Sequence, residues 1–566
     1  MGTALLALLV TFLGVTAVTD GTETIANALR IESANAEWIF KAYALSFAAL
    51  LFVGGKLGDM FGRRKALLVG LATFVVGSVA AGASSDAGWL IGFRVLQGAG
   101  AALVLPVTLS LILDAFPRRG RGAAFGFWTA VLAVAYAGGI ALSGTVIDDL
   151  GWRWLFYGGA VLAAVAALFA FRFVAKDSGR AGRFDFAGAL TGTGALAALG
   201  FAVLQGQQAG WDSPLIIALF GLTVSQSVAF VLVERHQPAP LIDIGRLCSR
   251  DFGVGSLIVF LASAGILGGL FVTALQFEQV FDYSAGDTAI AVLPFAIALT
   301  VVAPFAGKLA DRFDERLLTA VGLLLASGGL WGLSTVEAST GRGDLAIPLV
   351  VLGLGAALAL PAVTNVALDR TAPAEYGAAS GVFGGARNMG ALVGIAVAGA
   401  VFVCQVGTQV PKAVADGVQQ GTSEQLKTSI KQNGVDLLKL DEDGAGLTGT
   451  RGARPGLSPG LPLPLRPFPP QTRAAEQAPV LGTVAQALPF KPGNVPTKEE
   501  LEKRQKQVRE RQKELRKQQV KQQEALTKGI DQGLSKSSAA TFRYLSIFTL
   551  LAALATIYLG RTRRSE

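Results

Sequence analysis

Histidine occurs once, cysteine twice and methionine three times in 566 residues. That scarcity excludes a disulfide framework, a Cys/His metal centre and most histidine-based acid–base catalysis. Charge is scarce too: 16% of the residues are Asp, Glu, Lys or Arg against 52% hydrophobic, with a mean hydropathy of +0.50. A soluble chain would carry about a quarter charged residues. No Gly-x-x-x-x-Gly-Lys-Ser/Thr loop occurs, so ATP is not the expected energy source, and no nucleophile stands beside a positioned base, so an enzyme is not expected. Glycine, by contrast, is abundant at 70 residues. This is the composition of a polytopic membrane protein.

A hydrocarbon core needs ~20 mostly apolar residues per helix. Hydropathy predicts fourteen spans, at 4–27, 38–58, 66–84, 88–112, 122–147, 153–174, 187–204, 214–233, 254–275, 287–307, 317–336, 345–368, 378–403 and 542–560. Basic residues fall on alternate loops. Arg63, Arg64, Lys65, Arg118, Arg119, Arg121, Lys308, Arg312, Arg316 and the terminal Arg561, Arg563 and Arg564 share one face, whereas the short loops of the other hold Arg30, Arg153 and Arg342. Basic loops stay in the cytoplasm. Both termini are therefore expected there, and the net charge of +9 reflects topology and not a nucleic-acid footprint. Trp38, Trp89, Trp152, Trp154, Trp211 and Trp331 fall near outer helix ends, as an interfacial belt would have them; Trp128 does not. The first span opens almost at Met1 with no basic residue before it, so a signal peptide is not expected and the reading is a start upstream of Met1.

The loop after the second span reads Gly55-Lys56-Leu57-Gly58-Asp59-Met60-Phe61-Gly62-Arg63-Arg64-Lys65, and 252 residues later stands Gly307-Lys308-Leu309-Ala310-Asp311-Arg312. Both fit Gly-x-Leu-x-Asp followed by arginine, which points to an internally duplicated carrier. On these loops the sequence resembles the major facilitator superfamily. Arg94-Val95-Leu96-Gln97-Gly98-Ala99-Gly100-Ala101 resembles that family's Arg-x-x-Gln-Gly-x-Gly-Ala segment. Pro240-Leu241-Ile242-Asp243, and span thirteen with Gly377, Ser380, Gly381, Arg387, Gly390 and Gly394, are similar to its fourteen-helix drug/proton antiporter branch. The resemblance covers residues 10–405 and 530–560. It departs at Gly139-Ile140-Ala141-Leu142-Ser143-Gly144, which lacks the proline of the antiporter-associated Gly-Pro-x-x-Gly-Gly, and in the first span, where Glu23 and Arg30 interrupt the pattern begun by Asp20-Gly21-Thr22.

The resemblance implies an all-α fold of two six-helix bundles plus two extra central helices. Residues 1–175 would form the first bundle, 176–235 the added pair, 236–405 five helices of the second bundle, 406–540 an extracytoplasmic insert, and 541–566 the last span with a basic tail. A proton-driven carrier needs a carboxyl group inside the membrane and reachable by water. Asp20 is the candidate, with Arg94 at comparable depth as its cationic neighbour; a purely structural ion pair is the alternative. Glu23, three residues on from Asp20 and so expected on the same helix face, would either attract a cationic ligand or be neutralised by Lys41. Gln97 is a further substrate-contact candidate, and Arg387 either faces the cavity or bonds main-chain carbonyls. In the signature loop, Asp59 is expected to accept hydrogen bonds from a neighbouring helix terminus or an arginine and latch the cytoplasmic side, with Gly55, Gly58 and Gly62 making the tight turn. Arg63 and Arg64 would be its charge partners or headgroup anchors, and Asp311 and Arg312 form the second copy.

Within the insert, 444–496 is rich in Gly and Pro and reads as an extended linker. A charged helix capped by Thr497 should follow to about 530, with its basic excess open to lipid headgroups or cell-wall polymers. The expected activity is proton-coupled export of amphipathic or cationic small molecules across the cell's inner (plasma) membrane, with no cofactor beyond the proton gradient and no metal. The alternatives are a carrier of one endogenous metabolite or lipid, and a receptor or scaffold acting through the insert.

Overall fold

A computed structural model describes residues 1–16, 18, 21–31, 36–177, 179, 184–237, 240–242, 244–247, 249–337, 342–421 and 498–559, with no strand among them. Its helices are α1 (Gly2–Thr16), α2 (Thr22–Leu29), α3 (Trp38–Phe61), α4 (Arg63–Gly82), α5 (Ala87–Ala115), α6 (Arg118–Leu150), α7 (Arg153–Phe173), α8 (Phe186–Ala209), α9 (Pro214–His236), α10 (Ile244–Leu247), α11 (Phe252–Gln279), α12 (Ala285–Ala310), α13 (Glu315–Leu333), α14 (Arg342–Asp369), α15 (Tyr376–Gly421) and α16 (Lys498–Ala555). Among the described residues, thirteen helices are long and apolar enough to cross a membrane, and Gly2–Thr16 is a shorter apolar helix beside them. Helix satisfies every interior peptide group within its own segment, the condition hydrocarbon imposes.

The chain divides into two compact units. One holds 1–405, 458–460 and 535–566; the other holds 406–457 and 461–534. In the first, helices approach through glycine. A Cβ on Gly54 would lie 2.2 Å from Ala102 O, and one on Gly98 2.5 Å from Tyr43 O, so α3 and α5 touch backbone to backbone. The second half repeats the device where a Cβ on Gly355 of α14 would lie 2.3 Å from Ala326 N of α13. Nearly every residue of α9 outside Ile216 and Glu234 is at least partly exposed, and α8 packs on α3 through Trp38 and Phe201, whose rings are 5.2 Å apart.

Three expectations need correction. The span predicted at 4–27 is not one helix: α1 stops at Thr16 and α2 starts at Thr22, because the polar run Asp20-Gly21-Thr22-Glu23 breaks the apolar pattern. The continuous helix that would have put Asp20 and Glu23 on one face is therefore absent; Asp20 and the side chain of Glu23 lie outside the described residues. The last span is not a separate helix from the charged stretch, since α16 runs unbroken from Lys498 to Ala555. Thr497 and the linker 444–496 lie outside the described residues. Trp152 does not join the exposed belt; it is 5% exposed and packs edge-on to Phe156.

Candidate functional site

The two Gly-x-Leu-x-Asp loops lie on one face of the first unit, and each reaches into the opposite half. Asp59, near the end of α3, accepts hydrogen bonds from Gly377 N and Ala378 N, both at 2.8 Å. These two amides lie in the first turn of α15, just after the 3₁₀ turn Pro373–Glu375, where helix N–H groups have no partner of their own. Asp311 does the same to the first half, accepting from Gly122 N at 2.9 Å and Ala123 N at 3.1 Å. Those amides are available because α6 is non-helical at Arg119 and Gly120, so its regular turns begin only afterwards. Each carboxylate sits at the positive end of a helix dipole.

Glycine permits both approaches. A Cβ on Gly377 would lie 2.2 Å from Gly55 O, and one on Gly55 2.0 Å from Gly377 O. In the second latch, a Cβ on Gly122 would meet Gly307 O at 2.4 Å, and one on Gly307 would meet Gly122 O at 2.1 Å. Gly58 packs against Val107, and Gly62 takes φ +94° to turn the chain from α3 into α4.

Arg63 and Arg64 are not the hydrogen-bonding partners of Asp59. Arg63 Nη1 pairs with Asp114 at 2.9 Å, its Nη2 donates to Pro373 O at 2.8 Å, and its guanidinium lies 5.4 Å from the Tyr376 ring. Arg64 donates its main-chain N–H to Asp177 and a guanidinium N–H to Phe171 O, above whose ring it sits. Arg312 is exposed. Residues outside the sequence expectation complete the face: Arg121 Nη2 donates to Tyr376 Oη at 2.9 Å and to Leu113 O at 2.8 Å, while Asp369 forms ion pairs with Arg118 at 3.3 Å and Arg121 at 3.7 Å. The repeat carries the signal that finds them. Offsets of 252 to 255 residues relate Asp59 to Asp311, Asp114 to Asp369, Gly122 to Gly377, and Arg121 to the Tyr376 it touches.

One position breaks the repeat. Where the first half has Arg63, the second has Glu315. Its Oε1 accepts from Asn365 Nδ2 at 2.7 Å, and its buried Oε2 has no hydrogen-bond partner among the described residues. Asp114 thus draws its cation from its own half, whereas Asp369 draws Arg118 and Arg121 from the other.

Deeper in the membrane, Arg94 is wholly buried. Its Nε donates to Ile39 O at 2.8 Å, and Nη1 donates to Gly14 O at 2.9 Å and to Gln97 Oε1 at 3.0 Å. Tyr43 lies under the guanidinium at 4.5 Å, and Nη2 has no hydrogen-bond partner among the described residues. Gln97 is occupied at both ends, since its Nε2 donates to Ser78 Oγ at 2.6 Å. Lys41 pairs with Glu37 at 2.5 Å, one turn away on the chain, and Glu37 also accepts from Gln208; the side chain of Glu23 lies outside the described residues. Arg387 stands 5.2 Å over the ring of Trp128, from the opposite half.

The family model described as Major Facilitator Superfamily matches residues 3–395. The chain is 34% identical over 407 residues to the puromycin resistance protein of Streptomyces alboniger, covering 69% of this chain and 80% of that one. It is 32% identical over 393 residues to the tetracenomycin C resistance and export protein of Streptomyces glaucescens, covering 69% and 72%. Against the methylenomycin A resistance protein of Bacillus subtilis the identity is 30% over 398 residues, covering 70% and 85%. A duplicated helical fold, paired interbundle latches and these relatives agree: the chain is a multi-pass membrane transporter, without enzymatic chemistry or need of a cofactor, and belongs to the major facilitator superfamily.

Proposed function

We propose that the protein is a proton-coupled exporter of amphipathic small molecules in the plasma membrane, with its latch face and both termini in the cytoplasm. The observation that carries this reading is the reciprocal pair of latches, Asp59 on the α15 terminus and Asp311 on the α6 terminus. Contacts that join the two halves on one face only while that face is shut are what alternating access requires. Export is supported by relatives named for resistance, one of them also for export. Cationic cargo was expected through Glu23; Lys41, its proposed neutraliser, is engaged by Glu37.

Asp20 carries the proton in this reading. What supports it is Nη2 of Arg94, a cation fixed by Gly14 O, Ile39 O and Gln97 whose two Nη2 N–H groups are left over among the described residues. Proteoliposomes test it: an imposed pH gradient should move a dye such as ethidium, and Asp20→Asn should leave binding intact while uncoupling movement from the gradient. Flux that ignores the gradient in the wild type, or that Asp20→Asn leaves unchanged, would refute proton coupling through this residue. The second reading, a carrier for one endogenous metabolite or lipid, draws on the absent proline at Gly139-Ile140-Ala141-Leu142-Ser143-Gly144.

A further inference from the structure

The face of α15 that meets the first half runs Gly377, Gly381, Gly384, Arg387, and its contact loosens turn by turn. An added Cβ would lie 2.2 Å from Gly55 O at the first of these, 2.7 Å from Leu51 O at the second, and 3.2 Å from the Leu105 side chain at the third. One turn on, backbone contact gives way to the Arg387 guanidinium over Trp128. At ~1.5 Å per residue Arg387 is about 15 Å beyond Gly377, halfway through a hydrocarbon core of ~30 Å. The pair therefore stands where the sealed half ends, with one residue from each bundle.

Another intramembrane arginine of this chain is held by main-chain and side-chain acceptors. Arg94 is wholly buried and bonded to two carbonyls and an amide. Arg387 is different: it is only partly buried, and among the described residues it makes no hydrogen bond or ion pair. Trp128 is rigid beneath it, 3% exposed, with Nε1 donating to Thr108 Oγ1 at 3.1 Å. A guanidinium lying over a fixed indole keeps its N–H groups free to take a carboxylate through two parallel bonds. A charge at this depth without a protein counterion is expected to serve a ligand.

We propose that Arg387 and Trp128 form a composite subsite for the acidic group of a planar aromatic organic anion. The inference rests on the small-molecule carrier reading and narrows its cargo to acidic amphipaths. Because the two residues come from different halves, parting of the latch face withdraws Arg387 from Trp128 and weakens the grip on the anion. Ligand release is thus tied to the conformational change.

Fluorescein, its methyl ester and its cationic rhodamine analogue share one ring system and differ in charge. Anisotropy with the full-length protein in nanodiscs should show fluorescein bound about tenfold more tightly than the ester, the scale of one charge-assisted bidentate contact. Arg387→Gln should abolish that preference while leaving affinity for the ester unchanged. Arg387→Lys should recover part of it, because an ammonium keeps the charge and loses the fork. Trp128→Phe, which removes the Nε1 bond that fixes the ring, should reduce the preference for the acid and leave affinity for the ester unchanged. Thermal unfolding and gel filtration identify any variant that fails to fold, and Arg387→Lys then carries the test. Equal binding of acid and ester by the wild type, or an Arg387→Gln variant that loses both alike, overturns the subsite. A wild type that prefers the rhodamine overturns it too and leaves the carrier reading standing. If none of the three dyes is bound or moved in proteoliposomes, the reading as an exporter of amphipathic molecules falls and this inference with it.

Discussion

At residue 377 a single methyl group decides whether two helices can meet. Its Cβ would stand 2.2 Å from Gly55 O and 2.7 Å from Asp59 Oδ1, and neither backbone nor a bonded carboxylate can give way cheaply. Gly377→Ala should therefore hold the latch face open. Spin labels on the facing ends of α3 and α15 should report longer distances than in the wild type, and transport should fall by about an order of magnitude or more, the scale of overpacking at a close contact. Unchanged distances would show that this approach is not needed for closure. Asp59→Asn asks a different question, since it keeps shape and removes charge. Hydrogen bonds to a charged group contribute about 2 kcal/mol, so the closed-to-open ratio should drop about thirtyfold. The same labels measure it, and Asp311→Asn should act in the same direction through the second latch.

Two helix starts, those of α6 and α15, carry the closure, and their irregular entries are what make them receptors. Arg119 and Gly120 before one, and the turn Pro373–Glu375 before the other, leave main-chain amides free for a carboxylate from across the interface. The elements are not equivalent, because Glu315 replaces the counterpart of Arg63 and leaves Asp369 dependent on Arg118 and Arg121. Glu315→Arg should supply Asp369 with a cation from its own half, as Arg63 supplies Asp114, and loosen its tie to the first half. Distances between α6 and α14 should lengthen, and in an Arg121→Ala background the same substitution should add little further effect. Full additivity of the two would contradict a shared partner. Asp59 and Gly62 were legible because an acid and a glycine at a helix end form a local pattern; Gly55 and Gly58, expected in the tight turn, lie inside α3, where they let α15 and Val107 approach. The acceptors of Arg94 were not, because Ile39 O and Gly14 O are main-chain groups that any residue would supply. The Lys41–Glu37 pair was missed for the opposite reason: Glu37 stands closer along the chain than the partner sought across the spans.

Across the whole molecule, the spans were legible from hydropathy because lipid forces every crossing segment into an apolar helix. The break after Thr16 was not, since a short polar run inside an apolar stretch reads equally as a buried site within one helix. Duplication is the wider lesson, as it turns one recognisable loop into a prediction of its partner and of the surfaces each must meet. The stretch between α15 and α16 has no counterpart in that scheme. Both latches, the Arg63–Asp114 and Arg121–Asp369 pairs, Arg94 and Arg387 all lie within the first unit, and none draws on 440–530. Excising 440–530 also imposes no strain on the remaining connection, because an added Cβ at Gly533 would stand 2.5 Å from Val410 Cα, so the chain on either side is already close. Loop length changes the closure entropy only slowly, by about 0.6 kcal/mol per doubling, so shortening should be tolerated. The excised protein should keep gradient-driven dye flux in proteoliposomes at a rate within about twofold of the full chain, a tolerance set by that small entropic change. Loss of flux in a variant that still unfolds cooperatively would assign the insert a part in transport or reception. Retention would confine transport to the duplicated bundles, whose latches are complete without it.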